Sequence, residues 1–330
     1  MTSGIGGSVG DWVEIRPLAE IMATLDDGGA LEAMPFMPEM IQYVGRRFRI
    51  VKSAHKTCDP TGSSDLRRLP DSVHLATRCD GAAHDGCEAR CLLFWKRAWL
   101  KPVDGPVIGE APPGPADNVD IGQLHAATRS TTESGELRYR CQVTDIVAAT
   151  TPLPASELRQ YLEDVSSRNI LPITLVGELL RVYAKAFVRR AARLVGFDGS
   201  GVIAPVPVVA TAARDAAKLD LQVGELVQVR PAEEILATLN ESRKNRGLVF
   251  EQEMLRHCGR TYRVLARVSR IIDEKSGRMI KLTNDCIALE GVACRGLANR
   301  RRMFCPRGPF FYWREAWLRR ANAPTGGAQR

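Results

Sequence analysis

Residues 10 to 25, Gly-Asp-Trp-Val-Glu-Ile-Arg-Pro-Leu-Ala-Glu-Ile-Met-Ala-Thr-Leu, return at 224 to 239 as Gly-Glu-Leu-Val-Gln-Val-Arg-Pro-Ala-Glu-Glu-Ile-Leu-Ala-Thr-Leu. One ungapped offset of 214 carries the match from Gly10 over Gly224 to Arg49 over Arg263, with 15 identities in 40 columns. The ends match too: Phe94-Trp95-Lys96-Arg97-Ala98-Trp99-Leu100 corresponds to Tyr312-Trp313-Arg314-Glu315-Ala316-Trp317-Leu318. A repeat found this early decides the plan of the chain. It predicts two homologous modules at 8–104 and 222–322, with a linker and helical middle segment at 105–221 and a flexible tail at 323–330.

Within each module the run 12–16 and its copy 226–230 alternate apolar and polar residues, which predicts a half-buried strand. Pro17 and Pro231 stand where a short helix begins, and Ile21 with Leu25, like Ile235 with Leu239, lie at i and i+4. Further strands are predicted at Phe48 to Val51 and Tyr262 to Leu265, and a turn at 273–278 leads into a strand from Met279 to Leu282. Many short strands around one short helix predict an α+β fold of two small SH3-like β-barrel modules joined by a helical segment. That segment is predicted from Pro152 to Phe197. Glu178, Arg181, Lys185, Arg189 and Arg193 make a narrow polar stripe on a wide apolar surface, read as a helix buried between the modules or in a dimer. The alternative is peripheral membrane contact through residues 171–197.

The 330 residues are 45% apolar, 25% charged and 6% aromatic, the composition of a globular protein with ordinary cores. No export signal or spanning segment is read, and the expected location is cytoplasmic. Net charge is +8, and residues 222 to 330 alone hold 21 Lys and Arg against 11 Asp and Glu, so the basic surplus sits in the second module.

Nine cysteines in a reducing compartment point to metal ligands or buried thiols. They fall into two sets of four, Cys58, Cys79, Cys87 and Cys91 in module one and Cys258, Cys286, Cys294 and Cys305 in module two. Cys79 to Cys87 and Cys286 to Cys294 are both eight residues apart, which pairs those positions across the repeat, and each fourth cysteine shortly precedes the shared Trp-x-x-Ala-Trp-Leu ending. Cys58 aligns with Ile272 and Cys258 with Val44, so the first ligand is read as coming from either strand of a hairpin. Four thiolates from a hairpin and two loops are how a closed tetrahedral zinc site is built, so two zinc ions are expected, one per module. His55 and His84 are possible substitute ligands. Cys305-Pro306 keeps an iron-sulfur cluster as the alternative, and buried unliganded thiols as a third. Cys141 belongs to neither set and reads as a small apolar filler.

Arg300, Arg301 and Arg302, with Arg295, Arg307 and the aromatics Phe310 to Trp313, make nucleic acid a possible partner. Glu20/Glu234 and Glu39/Glu253 persist in both copies, which argues for structural parts. No phosphate loop, nucleophile elbow, His-Glu-x-x-His or kinase-like set is present, and no catalytic residue is assigned. The runs Gly-Asp-Trp-Val-Glu-Ile-Arg at 10–16, Ala-His-Lys-Thr-Cys-Asp at 54–59 and Cys-Leu-Leu-Phe-Trp-Lys at 91–96 resemble an uncharacterised bacterial family of duplicated cysteine-containing modules. Cys305-Pro306-Arg307 and Tyr312-Trp313-Arg314-Glu315 are similar to the same family. The resemblance implies an accessory role beside biosynthetic genes and no catalytic residue. The expected function is therefore a non-catalytic zinc-binding adaptor with a protein partner. The alternatives are a nucleic-acid-binding protein acting through module two, and a metalloenzyme or iron-sulfur protein reacting in module one.

Overall fold

The period-two pattern becomes the strand Trp12–Ile15, with Val13 and Ile15 inward, and its copy Leu226–Val229, with Val227 and Val229 inward. In the computed structural model, which describes residues 7–60, 65–106, 120–131, 134–194, 219–297 and 300–321, each strand sits fourth in a five-stranded antiparallel sheet. The first sheet runs Leu92–Lys96, Ser72–Arg78, Arg47–Ser53, Trp12–Ile15, Leu100–Val103. The second runs Phe310–Trp313, Ile287–Ala293, Thr261–Arg267, Leu226–Val229, Leu318–Arg320. The registers coincide: Trp12 faces Arg49 and Val13 faces Pro102, as Leu226 faces Arg263 and Val227 faces Arg320. Both sheets curl into half-barrels, giving an α+β fold in which strands outweigh helices.

The residues that survive in both copies hold this frame. Phe36 packs edge-to-face on Trp95 and Trp99 with centroids 6.3 and 5.3 Å apart, and Phe250 does the same with Trp313 and Trp317 at 6.2 and 5.3 Å. Trp99 Nε1 donates to Thr24 Oγ1 at 3.0 Å and Trp317 Nε1 to Thr238 Oγ1 at 2.9 Å, so these two buried rings keep their polar atoms satisfied in the same way. Those threonines close the short helices Leu18–Met22 and Ala232–Leu236, whose exposed Glu20 and Glu234 pair with Arg16 and Arg230. The duplicated glutamates at these positions are thus structural ion pairs.

Repeats and folding units do not coincide. One unit comprises Met1–Val176, Arg270–Ile280 and Arg295–Pro309; the other comprises Gly177–Ser269, Lys281–Cys294 and Phe310–Arg330. Of the expected middle segment, the described residues up to Val176 belong to the first unit, and 177–194 and 219–221 belong to the second. Pro152 lies in a strand, Thr151–Leu153, that pairs with Leu66–Arg68, which in turn pairs with Lys56–Cys58. The helix expected from 152 is instead two, Arg159–Ser166 and Pro172–Leu194. In the single chain the second exposes Ile173, Val176, Leu180 and Val188. No helix among the described residues is long and apolar enough to cross a membrane. Residues 107–119 and 195–218 of the expected linker and helical middle segment, and the tail at 323–330, lie outside the described residues.

Candidate thiol site in the first unit

The strand registers redraw the cysteine correspondence. Ile50 faces Leu75 and Val264 faces Leu289, so the offset of 214 still holds there and Cys286 matches Ser72. Beyond irregularities in both strands, Arg78 faces Leu92 while Ala293 faces Phe310, so Arg78 matches Ala293 and Cys79 matches Cys294. The two spacings of eight that paired Cys79 with Cys286 are a coincidence. The residues after each cysteine support the new pairing: Cys79-Asp80-Gly81 and Cys294-Arg295-Gly296 turn through glycines at φ +74° and +67°. A Cβ on Gly81 would stand 2.1 Å from the Cys87 carbonyl oxygen, and one on Gly296 2.6 Å from the Cys305 amide. Cys87 and Cys305 are therefore counterparts, each lying over the glycine of its loop.

A buried glutamate anchors each loop. Glu39, on the 3-10 turn Pro38–Tyr43, accepts from Ala83 N at 3.1 Å and His84 Nδ1 at 2.6 Å. Glu253, on Gln252–His257, lies 3.1 Å from Arg256 and accepts from Cys294 Sγ at 3.7 Å. The expected hairpin for Cys58 and Cys258 is absent. Cys258 ends the turn before Thr261–Arg267, while Ile272, the counterpart of Cys58, lies beyond that strand's other end, about 20 Å of extended chain away. In the second unit Cys258 and Cys294 pack against the core and Cys286 is buried, and Cys305 belongs to the first unit.

In the first unit Cys79, Cys87, Cys91 and Cys141 line one small cavity of about 30 Å³ together with His84. Burial drives the Cys79 thiol far above its ordinary range, with Glu39 adding to the effect, and pushes Cys91 up to about 12 against the pull of Arg307. Burial raises Cys141 as well. His84 Nε2 donates to the Arg140 carbonyl at 2.9 Å, so both ring nitrogens are donors to acceptors. Burial works against its charge, but the hydrogen bond to Glu39 and that residue's charge outweigh it and raise the pKa. Both nitrogens of the buried His84 ring are thus engaged, one by Glu39 and the other by the Arg140 carbonyl. His55 Nε2 lies 3.3 Å from Asp164 Oδ1. Among the described residues, no three His, Cys, Asp or Glu side chains are grouped so as to hold a metal ion.

Cys58 and Cys305 come together instead. The Cys58 amide donates to Cys305 Sγ at 3.2 Å, and Arg307 Nη1 donates to Cys58 Sγ at 3.5 Å. Arg307 is buried and its Nη2 is held by Glu274. The hydrogen bond with Cys305 lowers the Cys58 pKa to about 6 against burial, helped by the charges of Arg307 and Arg302. Beside the pair, Lys56 Nζ lies 2.5 Å from Asp164 Oδ2 and 3.4 Å from Gln160 Oε1. It also lies 5.2 and 5.9 Å from the rings of Tyr161 and Phe304. Sequence reading grouped Arg307 with the arginines of a possible nucleic-acid contact and passed over Lys56 and Asp164. The adjacency of Lys56 to Cys58 on an alternating strand was the one available signal.

The basic loop forms a 3-10 turn, Arg300–Arg302, whose Arg301 lies 3.9 Å from Asp65. Phe311 and Trp313 are buried in the second core, so two of the four aromatics behind it are committed to packing. A larger open groove of about 880 Å³ is lined by Pro38, Ile41, Ala82, Asp80, Asp85 and His125, among others. Searched against protein-family models and against curated proteins, the chain finds no match.

Proposed function

We propose that the chain is a non-catalytic accessory protein of the cytoplasm, built on two SH3-like modules, that binds a segment of a partner protein. The groove of about 880 Å³ in the first unit carries this reading. Its volume is that of a ligand pocket, and apolar Pro38, Ile41, Ala82 and Ala83 share its lining with Asp80, while Glu39 and Asp85 there are already paired with His84 and with Arg129, which also lines it. That mixture favours an extended segment with apolar side chains flanked by Lys or Arg. The test is fluorescence anisotropy with two pools of short labelled peptides, one apolar and basic, the other apolar and acidic. The basic pool binds, and Ile41→Arg combined with Asp80→Lys weakens it by about tenfold, the equivalent of roughly 1.4 kcal/mol. Equal binding of the two pools, or none by either, overturns the reading.

A second reading is a thiolate zinc centre at the four thiols lining the smaller cavity, whose sulfurs would have to close in on the ion, since as placed no three of them make a metal-holding group. Such a centre would use Cys141 where Cys58 was expected, and would hold one ion per chain where two were expected. Metal analysis of protein purified anaerobically tests it: one zinc per chain, lost in Cys79→Ser, supports this centre, and metal-free protein removes it. Iron with sulfide and visible absorbance replaces it by a cluster.

A further inference from the structure

We propose that Cys58 and Cys305 are a reversible dithiol–disulfide pair, oxidised by low-molecular-weight disulfides, whose bond staples the 295–309 segment of the second repeat to the Lys56–Cys58 strand. The pair is brought together by the fold across 247 residues of sequence, with the Cys58 amide 3.2 Å from Cys305 Sγ. Leu66 and Leu153 form one buried cluster with Cys305, against which Cys58 packs, so the approach of the two side chains is set by a wall of apolar neighbours. Arg307, fixed by Glu274, places a guanidinium 3.5 Å from Cys58 Sγ. A cation there favours the thiolate and repels a divalent metal, which distinguishes this pair from a fragment of a zinc site.

The two sulfurs have unequal access, and that assigns their order. Cys58 is half-buried and meets the reagent first, whereas Cys305 is buried and resolves. The Cys58 thiolate attacks one sulfur of R–S–S–R, forming Cys58–S–S–R and releasing RS⁻. Cys305 gives its proton to the released RS⁻ and attacks Cys58 Sγ, and the second RS⁻ leaves and takes a proton from water. Two electrons pass from the protein pair to the small disulfide, which becomes two thiols. Burial disfavours the thiolate at Cys79, Cys91 and Cys141, so they compete poorly. The product bond closes a long loop, which stabilises the folded chain by restricting the unfolded one.

The experiment uses the full-length protein, reduced, freed of reductant and exposed to oxidised glutathione at pH 7. Samples are quenched in acid, alkylated, digested without reduction and mapped by mass spectrometry. The expected product in wild type is a Cys58–Cys305 cross-linked peptide. In Cys305→Ser, glutathione remains on Cys58, and in Cys58→Ser, Cys305 stays alkylated as a thiol. The wild-type map alone decides the matter even where a variant fails to fold. A stable glutathione adduct on Cys58 in wild type, or a cross-link joining any other two cysteines in its place, overturns the proposal. Peptide binding in the groove is a separate measurement, so neither result substitutes for the other.

Discussion

Replacing Asp164 by Asn tests whether the first unit is closed around a buried charge. Lys56 and Asp164 are both fully buried, with Nζ 2.5 Å from Oδ2. With the carboxylate replaced by an amide, the ammonium keeps neutral acceptors, the new amide oxygen and Gln160 Oε1 at 3.4 Å, and two ring faces, but loses the charge that compensates it. Removing one partner of such a pair typically costs about 3–5 kcal/mol, because an uncompensated charge stays in a low-dielectric site. Against a total stability of roughly 5–15 kcal/mol for a domain, that is a large fraction. Urea unfolding followed by tryptophan fluorescence, with Trp12, Trp95 and Trp99 reporting on the first unit, gives the number. The paired change Lys56→Met with Asp164→Leu removes both charges and is expected to return stability to within about 1 kcal/mol of wild type. The reasoning is refuted if Asp164→Asn costs less than about 1 kcal/mol with an unchanged slope, or if the double variant is no better than the single.

The same geometry sets three further outcomes. His84 holds its proton more tightly when folded, so its contribution is complete below the unfolded value of about 6.5 and is lost as pH rises through the folded pKa. The stability gap between wild type and Glu39→Gln therefore narrows from pH 6 upward in chemical denaturation, and a pH-independent gap contradicts a charged His84. Alkylation of Cys58 by iodoacetamide reaches half its maximal rate near pH 6, and Arg307→Gln moves that midpoint upward; a midpoint near 8.5 in wild type excludes a stabilised thiolate. Gly81→Ala forces a Cβ against the Cys87 carbonyl at positive φ and lowers stability by about 1–3 kcal/mol in thermal melts. Gly135→Ala, with open space around it, carries only the conformational part of that cost.

The duplication was legible because it is written in residues that the frame cannot exchange. Phe36, Trp95 and Trp99, the Thr24 that satisfies a tryptophan, and the Arg16–Glu20 pair all recur, and their packing is local to one sheet. The pairing of cysteines across the repeat misled for an equally physical reason. Equal spacing in sequence is matched position for position only when strands are regular, and irregularities between His74 and Arg78 and between Ala288 and Ala293 shift the count. Cys141 reached the cavity from a segment with no copy in the other repeat, so comparison of repeats had nothing to say about it. Pro152 looked like a helix start, yet its missing N–H is harmless at the outer edge of a three-stranded sheet. The exchange of segments 270–280 and 295–309 into the first unit was unreadable, since no local pattern records which core a loop will join.

That exchange also constrains how the chain is made. Synthesis proceeds from the N-terminus, and the first unit has emerged to Val176 long before Arg295–Pro309, which carries Phe304, Cys305 and Arg307, has been translated. At roughly 5–20 residues per second the interval is on the order of ten seconds. Through that time the nascent first unit exposes Cys58, the open end of its Leu66 and Leu153 cluster and the Lys56 pocket without their cover. A stop or a protease cut anywhere between 177 and 294 leaves a fragment with an unfinished core rather than one complete half.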